Sequence, residues 1–203
     1  MKTIGITGGV GAGKSLVLNY IKSRYRAKIY MADDIANFLK EPGQSCYEPV
    51  ITLLGEDILD EDKRIHKAKM AEKIFAKSDL LQQINAIIHP AVKEYVLSEI
   101  AAEQAKAEQD FFILEAALLI EEHYDEILDE LWYVYADQEV RSKRLKESRN
   151  YSDDKIKNIM SHQMTDEIFR KHCQVIIENN GDLDETYRQI DEKLGEYIGA
   201  ESK

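Results

Sequence analysis

With 203 residues, 44% of them hydrophobic and 32% charged, the chain has the balance of an ordinary soluble protein and is long enough to bury one sizeable core. A net charge of −11 and a pI near 5.0 argue against a general affinity for nucleic acid or for an anionic membrane, so any basic chemistry is local. Cys46 and Cys173 stand far apart and in no metal-ligand spacing, no room precedes the first strand for a signal peptide, and no apolar run reaches membrane-spanning length; the expectation is a cytoplasmic chain with reduced thiols.

Lys2 to Thr7 is a short strand rich in β-branched residues, and Leu16 to Ile21 is an apolar segment suited to begin a buried helix. Between them Gly8-Gly9-Val10-Gly11-Ala12-Gly13-Lys14-Ser15 satisfies the pattern G-x-x-x-x-G-K-[ST] at every position. Strand, glycine loop and helix are the order that a phosphate-binding loop requires. Its glycines let backbone N–H groups approach phosphate oxygens, and the helix adds the positive end of its dipole. In such a loop Lys14 reaches the terminal phosphates of a nucleotide and the Ser15 hydroxyl ligates Mg²⁺.

Arg26 to Asp34 reads as a second strand, parallel to the first because the connection is helical, and ending in Asp33 and Asp34. Carboxylates at the C-terminal end of such a strand lie where ligands bind, although the same pair also suits the first turn of a helix over 35–40. From Glu41 to Gln109 no strand is legible. A Pro42-Gly43 turn leads into helical periodicity at 67–75 and 91–100, which reads as a helical insertion; such an excursion from a nucleotide-binding core usually binds the acceptor, although extra packing layers would look the same. His89-Pro90 is read as a helix boundary, because proline disfavours the helical conformation in the residue before it.

Phe111 to Leu114 is a continuous apolar run, the mark of a strand buried on both faces, and Glu115 follows at its C-terminal end. Another strand spans 131–135. Val140 to Arg149 then carries Arg141, Lys143, Arg144, Lys146 and Arg149 against the single acid Glu147. Alone, such a run is a solvated helix face; after a strand in a phosphate-loop core it reads as a lid whose arginines close on phosphates. Helix is expected over 151–163, a last strand over 174–178, and a final helix with Leu183, Tyr187, Ile190, Leu194, Tyr197 and Ile198 on its buried face.

Taken together, the loop, Ala32-Asp33, Glu41-Pro42-Gly43, His89-Pro90, Leu118-Leu119-Ile120-Glu121, Arg144-Leu145 with Arg149, Gln163 and Asn179-Asn180-Gly181 give a chain that resembles the dephospho-coenzyme A kinases over nearly its whole length. The resemblance implies an α/β fold, a P-loop nucleotide-kinase-like three-layer architecture with a five-stranded parallel sheet, a helical acceptor-binding insertion and a lid. Residues 1–34, 110–140 and 174–203 would form the nucleotide core, 35–109 the coenzyme-binding insertion and 141–173 the lid. It also implies phosphorylation of the ribose 3′-hydroxyl of dephospho-coenzyme A by ATP with Mg²⁺, with no nucleic acid or membrane partner.

On that resemblance Gly9, Val10, Gly11, Ala12, Gly13, Lys14, Ser15, Leu16 and Arg149 bind ATP, and Ser15 holds the metal. Asp33, Lys14 and Arg144 are catalytic, while Asp33, His89, Glu115 and Leu119 contact the acceptor. The chain departs from the family pattern at Met31, Glu115, Leu16 and Phe169, where Asp, Asp, Thr and a basic residue are usual. Two other readings remain open on the residues alone: another P-loop kinase of a small molecule or nucleotide, and a nucleotide-dependent switch or binding module.

Overall fold

Five strands, β1 (Lys2–Thr7), β2 (Ala27–Met31), β3 (Phe111–Glu115), β4 (Glu130–Tyr135) and β5 (Val175–Glu178), form one sheet in the order β2-β3-β1-β4-β5 in the computed structural model, which describes residues 1–200. β1 lies between β3 and β4 and runs parallel to both; β4 runs parallel to β5. The expected five-stranded parallel α/β sheet is present. Its central strands are buried on both faces, as their unalternating apolar sequences require: Ile4, Ile6, Phe112, Ile113, Leu114, Leu131, Trp132 and Val134 are wholly inaccessible. Parallel register brings the C-terminal ends of these strands to one edge, with Ile6 beside both Glu115 and Trp132.

The chain divides into two compact units. One comprises Met1–Tyr30 and the chain from Glu103 onward, and the other is Met31–Ala102. The first unit holds the sheet and helices α1 (Lys14–Arg24), α6 (Gln138–Arg149), α7 (Asp153–Ser161), α8 (Asp166–His172) and α9 (Leu183–Ala200). The basic segment is therefore one helix, α6, and the helix expected over 151–163 is the shorter α7, which Ser152 caps by accepting from the Lys155 N–H at 3.3 Å. On α9, Ile190 and Leu194 are fully buried, but Leu183 and Ile198 at the two ends of the expected stripe are exposed.

The second unit is helical: α2 (Ala32–Phe38), α3 (Tyr47–Leu54), α4 (Lys67–Ala76) and most of α5 (Ser78–Lys106). Two expectations change here. The second strand stops at Met31, so Asp33 and Asp34 occupy the first turn of α2 rather than the end of a strand. Carboxylates are favoured in that turn by the free N–H groups and the helix dipole. Nor does the chain break at His89-Pro90. α5 runs for 29 residues, about 43 Å, straight through Pro90. Ile84, Ile88, Val92, Val96 and Ile100 form an unbroken buried stripe at four-residue spacing across it, and Pro90 and Ala86, whose carbonyl loses its donor, are both on the exposed side. The continuous apolar stripe outweighs one missing hydrogen bond on the solvent face.

Candidate active site

The loop between β1 and α1 is shaped by its glycines. Gly11 at φ +81° and Gly13 at φ +98° take left-handed conformations, and Gly13 is the residue from which α1 starts. A turn closes the loop, the Ala12 N–H donating to the Gly9 carbonyl at 3.1 Å. Among the described residues the N–H groups of Gly11, Gly13, Lys14 and Ser15 have no protein acceptor. Four unengaged donors in a glycine loop at a helix N-terminus are what an anion cradle requires. The Lys14 ammonium folds back over the loop, donating to the Gly8 carbonyl at 2.8 Å and standing 3.5 Å from the Glu115 carboxylate at the end of β3.

The loop's carbonyls are held from outside. Asn179, fully buried after β5, donates through Nδ2 to the Ala12 carbonyl at 2.7 Å and accepts the Thr186 hydroxyl at 3.2 Å on Oδ1. A side chain on Gly13 would collide with that amide, so glycine is required there for packing as well as conformation. Arg144 adds a longer contact to the same carbonyl, 3.4 Å from Nη1. Arg141, one turn earlier on α6, donates from Nε to the Val10 carbonyl at 2.8 Å and from Nη2 to Gln163, whose Oε1 also accepts the Val10 N–H at 3.3 Å. Burial pulls the Arg141 guanidinium below its ordinary pKa, against the opposing pull of Tyr133 and Tyr135.

The remaining residues singled out by sequence are more dispersed. Ser15 is exposed in the first turn of α1, with Leu16 half-buried beside it. Arg149, at the end of α6 and about 12 Å along the helix from Arg141, lies 6.0 Å from the Tyr151 ring. Leu119 is fully inaccessible, and a Cβ on Gly5 would lie 2.8 Å from its Cδ1; its side chain is a core contact rather than a ligand surface. In the second unit Asp33 is exposed on α2 and His89 half-buried on α5. Burial also lowers the pKa of Lys40, near Lys67, Cys46 and Asp33. Sequence reasoning did not single out Arg141 from its basic run, and it met Gln163 and Asn179 only as marks of resemblance.

Sheet order and loop place the chain among the P-loop kinases, enzymes that move a phosphoryl group from a bound nucleotide. A family model described as dephospho-CoA kinase matches residues 2–185, and the chain belongs to that family. Dephospho-CoA kinase of Streptococcus agalactiae serotype Ia is 32% identical over 189 residues, 93% of this chain and 95% of that one. The enzyme of the same name from Carboxydothermus hydrogenoformans is 34% identical over 187 residues, covering 92% and 90%. Among solved structures, dephospho-CoA kinase from Campylobacter jejuni superposes with a TM-score of 0.72 over 97% of both chains at 20% identity, a likeness of fold. The chain is accordingly a kinase of coenzyme A biosynthesis.

Proposed function

We propose that the chain transfers the terminal phosphoryl group of MgATP to the ribose 3′-hydroxyl of dephospho-coenzyme A, in the cytoplasm, giving coenzyme A and ADP. The observation that carries this reading is the set of four unengaged N–H groups at Gly11, Gly13, Lys14 and Ser15 with the Lys14 ammonium over them. The acceptor oxygen forms a bond to the γ-phosphorus as the bond from that phosphorus to the βγ-bridging oxygen breaks; ADP leaves, and the hydroxyl proton passes to a carboxylate. The transition state is loose, so orientation and electrostatic support contribute more than proton removal.

Asp33 is the carboxylate assigned to orient the hydroxyl and accept its proton. Its support is the family resemblance and its place two residues after β2, in the exposed first turn of α2. Lys14 and the loop amides hold the phosphates, Arg144 stands at the nucleotide beside Ala12, and Arg149 joins them on lid closure. His89 is assigned to the acceptor side. For Mg²⁺, the Ser15 hydroxyl is the hard oxygen donor assigned to the ion; Glu115, assigned with His89 to the acceptor, stands at the phosphate end of the loop by its contact with Lys14, where its carboxylate is a second oxygen donor of the kind this ion takes. Bound there, the ion supplies charge neutralisation at the β- and γ-phosphates.

The test is ADP release measured with ATP and Mg²⁺, with and without dephospho-coenzyme A. Turnover that depends on the acceptor supports the kinase. Acceptor-independent hydrolysis at the same rate would favour a nucleotide-driven switch instead.

A further inference from the structure

Arg141 touches three consecutive residues of the phosphate loop. Its Nε bonds the Val10 carbonyl, its guanidinium occupies the space a side chain on Gly9 would need, and a Cβ on Gly11 would lie 3.0 Å from its backbone carbonyl oxygen. Gln163, between α7 and α8, ties the arrangement together by accepting from both Arg141 and the Val10 N–H. Among the described residues no carboxylate pairs with this half-buried guanidinium, so its burial is not explained by an ion pair.

The chemistry follows from the planarity of the peptide. In a trans peptide the C=O and the following N–H point in opposite directions, so anchoring the Val10 carbonyl fixes the direction of the Gly11 N–H, one of the four cradle donors. That peptide needs an anchor. Glycine on its far side accepts either sign of φ, so a flip that turns the Val10 carbonyl inward and the Gly11 donor outward carries little steric penalty. The Lys14 ammonium marks which phosphate is at stake: it reaches the terminal phosphates and lies at Gly8, so the Gly8–Gly11 arm belongs to that end.

We propose that Arg141, braced by Gln163, is a positioning residue for phosphoryl transfer: it holds the Val10 peptide outward so that the Gly11 N–H faces the terminal phosphates. The clasp also joins α6 and the α7–α8 connection to the loop, so the basic helix is tethered at its first turn and any lid motion occurs beyond it. This inference rests on the nucleotide-kinase reading of the loop.

The experiment compares Arg141→Lys, which keeps the charge but not the fork of directed donors, Gln163→Met, which removes the shared acceptor, and the double variant. ATP binding is read by calorimetry without acceptor, turnover by steady-state kinetics, and folding by thermal melting. Each single change is expected to weaken ATP binding and lower kcat about tenfold or more, with the KM for dephospho-coenzyme A unchanged and a modest fall in Tm from the broken part-buried bonds, since small misplacements around a reacting group are costly. The double variant is expected to be no worse than the weaker single one, because either change releases the same peptide. Wild-type ATP binding in either single variant, losses that multiply in the double, or equal weakening toward both substrates would overturn the proposal. Binding is measured independently of chemistry, so a wild type that binds ATP yet transfers nothing would fault the kinase reading and leave this comparison standing.

Discussion

The side-chain amide of Asn179 donates to the carbonyl of Ala12 at 2.7 Å from a fully buried position. Ala12 precedes Gly13, so this one bond sets the direction of the Gly13 N–H, which has no protein acceptor. Asn179→Asp would place an acceptor against the Ala12 carbonyl, whereas Asn179→Ala removes the donor together with the Oδ1 that accepts the Thr186 hydroxyl. Both should lower stability, by about 1–3 kcal/mol for the lost buried bond. ATP affinity should fall more in Asn179→Asp than in Asn179→Ala, while acceptor binding stays unchanged. Calorimetry and urea melts check the pair; equal ATP affinity in wild type and both variants would detach the loop from Asn179.

Lys14→Met should cut turnover by about 10²–10³-fold or more, the scale on which a preorganised charge at a developing anion acts. Lys14 stands 3.5 Å from Glu115, so a modest loss of stability accompanies the change. Wild-type-like kinetics in a folded Lys14→Met protein would remove the loop from the mechanism.

Asp33 and Asp34 are neighbours in the first turn of α2, so their variants form a matched pair. Asp33→Asn is expected to lower kcat and kcat/KM together by about 10²–10⁴-fold with little change in KM, the signature of a group acting mainly in the transition state. Asp34→Asn is expected to cost about 0.3–1 kcal/mol of stability through the helix dipole and little in rate. The reverse pattern would move the orienting role to Asp34.

Burial pushes the Cys173 thiol up to about 12 from 9.0. Because the folded pKa lies above the unfolded one, the folded state keeps its proton longer; the stability contribution is full below pH 9 and is lost as pH rises from about 9 toward 12. Thiolate is the reactive form, so iodoacetamide at pH 8.5 should label Cys173 only after denaturation. Labelling of the native protein at the unfolded rate would contradict its burial.

The phosphate loop and the central strands were legible in the sequence because their signals are local: a fixed motif, and apolar runs such as Phe111–Leu114 that only a doubly buried strand needs. Asp33 was harder to place. A carboxylate after Met31-Ala32 suits a strand end and a helical first turn equally, and the fold chose the helix. At Pro90 the local rule for the preceding residue lost to the stripe from Ile84 to Ile100, which is readable once the helix is followed across the proline. Arg141 had no separate signal within its basic run. Which arginine meets the loop depends on where α6 lies against Gly9 and Gly11, a tertiary fact that the spacing of charges does not encode.

The central claim is tested most directly by the product. Dephospho-coenzyme A incubated with the protein, ATP and Mg²⁺ is analysed by mass spectrometry for gain of one phosphate and by NMR for its position. The account predicts a single phosphate on the ribose 3′-oxygen, formed with one ADP per product; ADP without a phosphorylated acceptor, or phosphate on another hydroxyl, would contradict it.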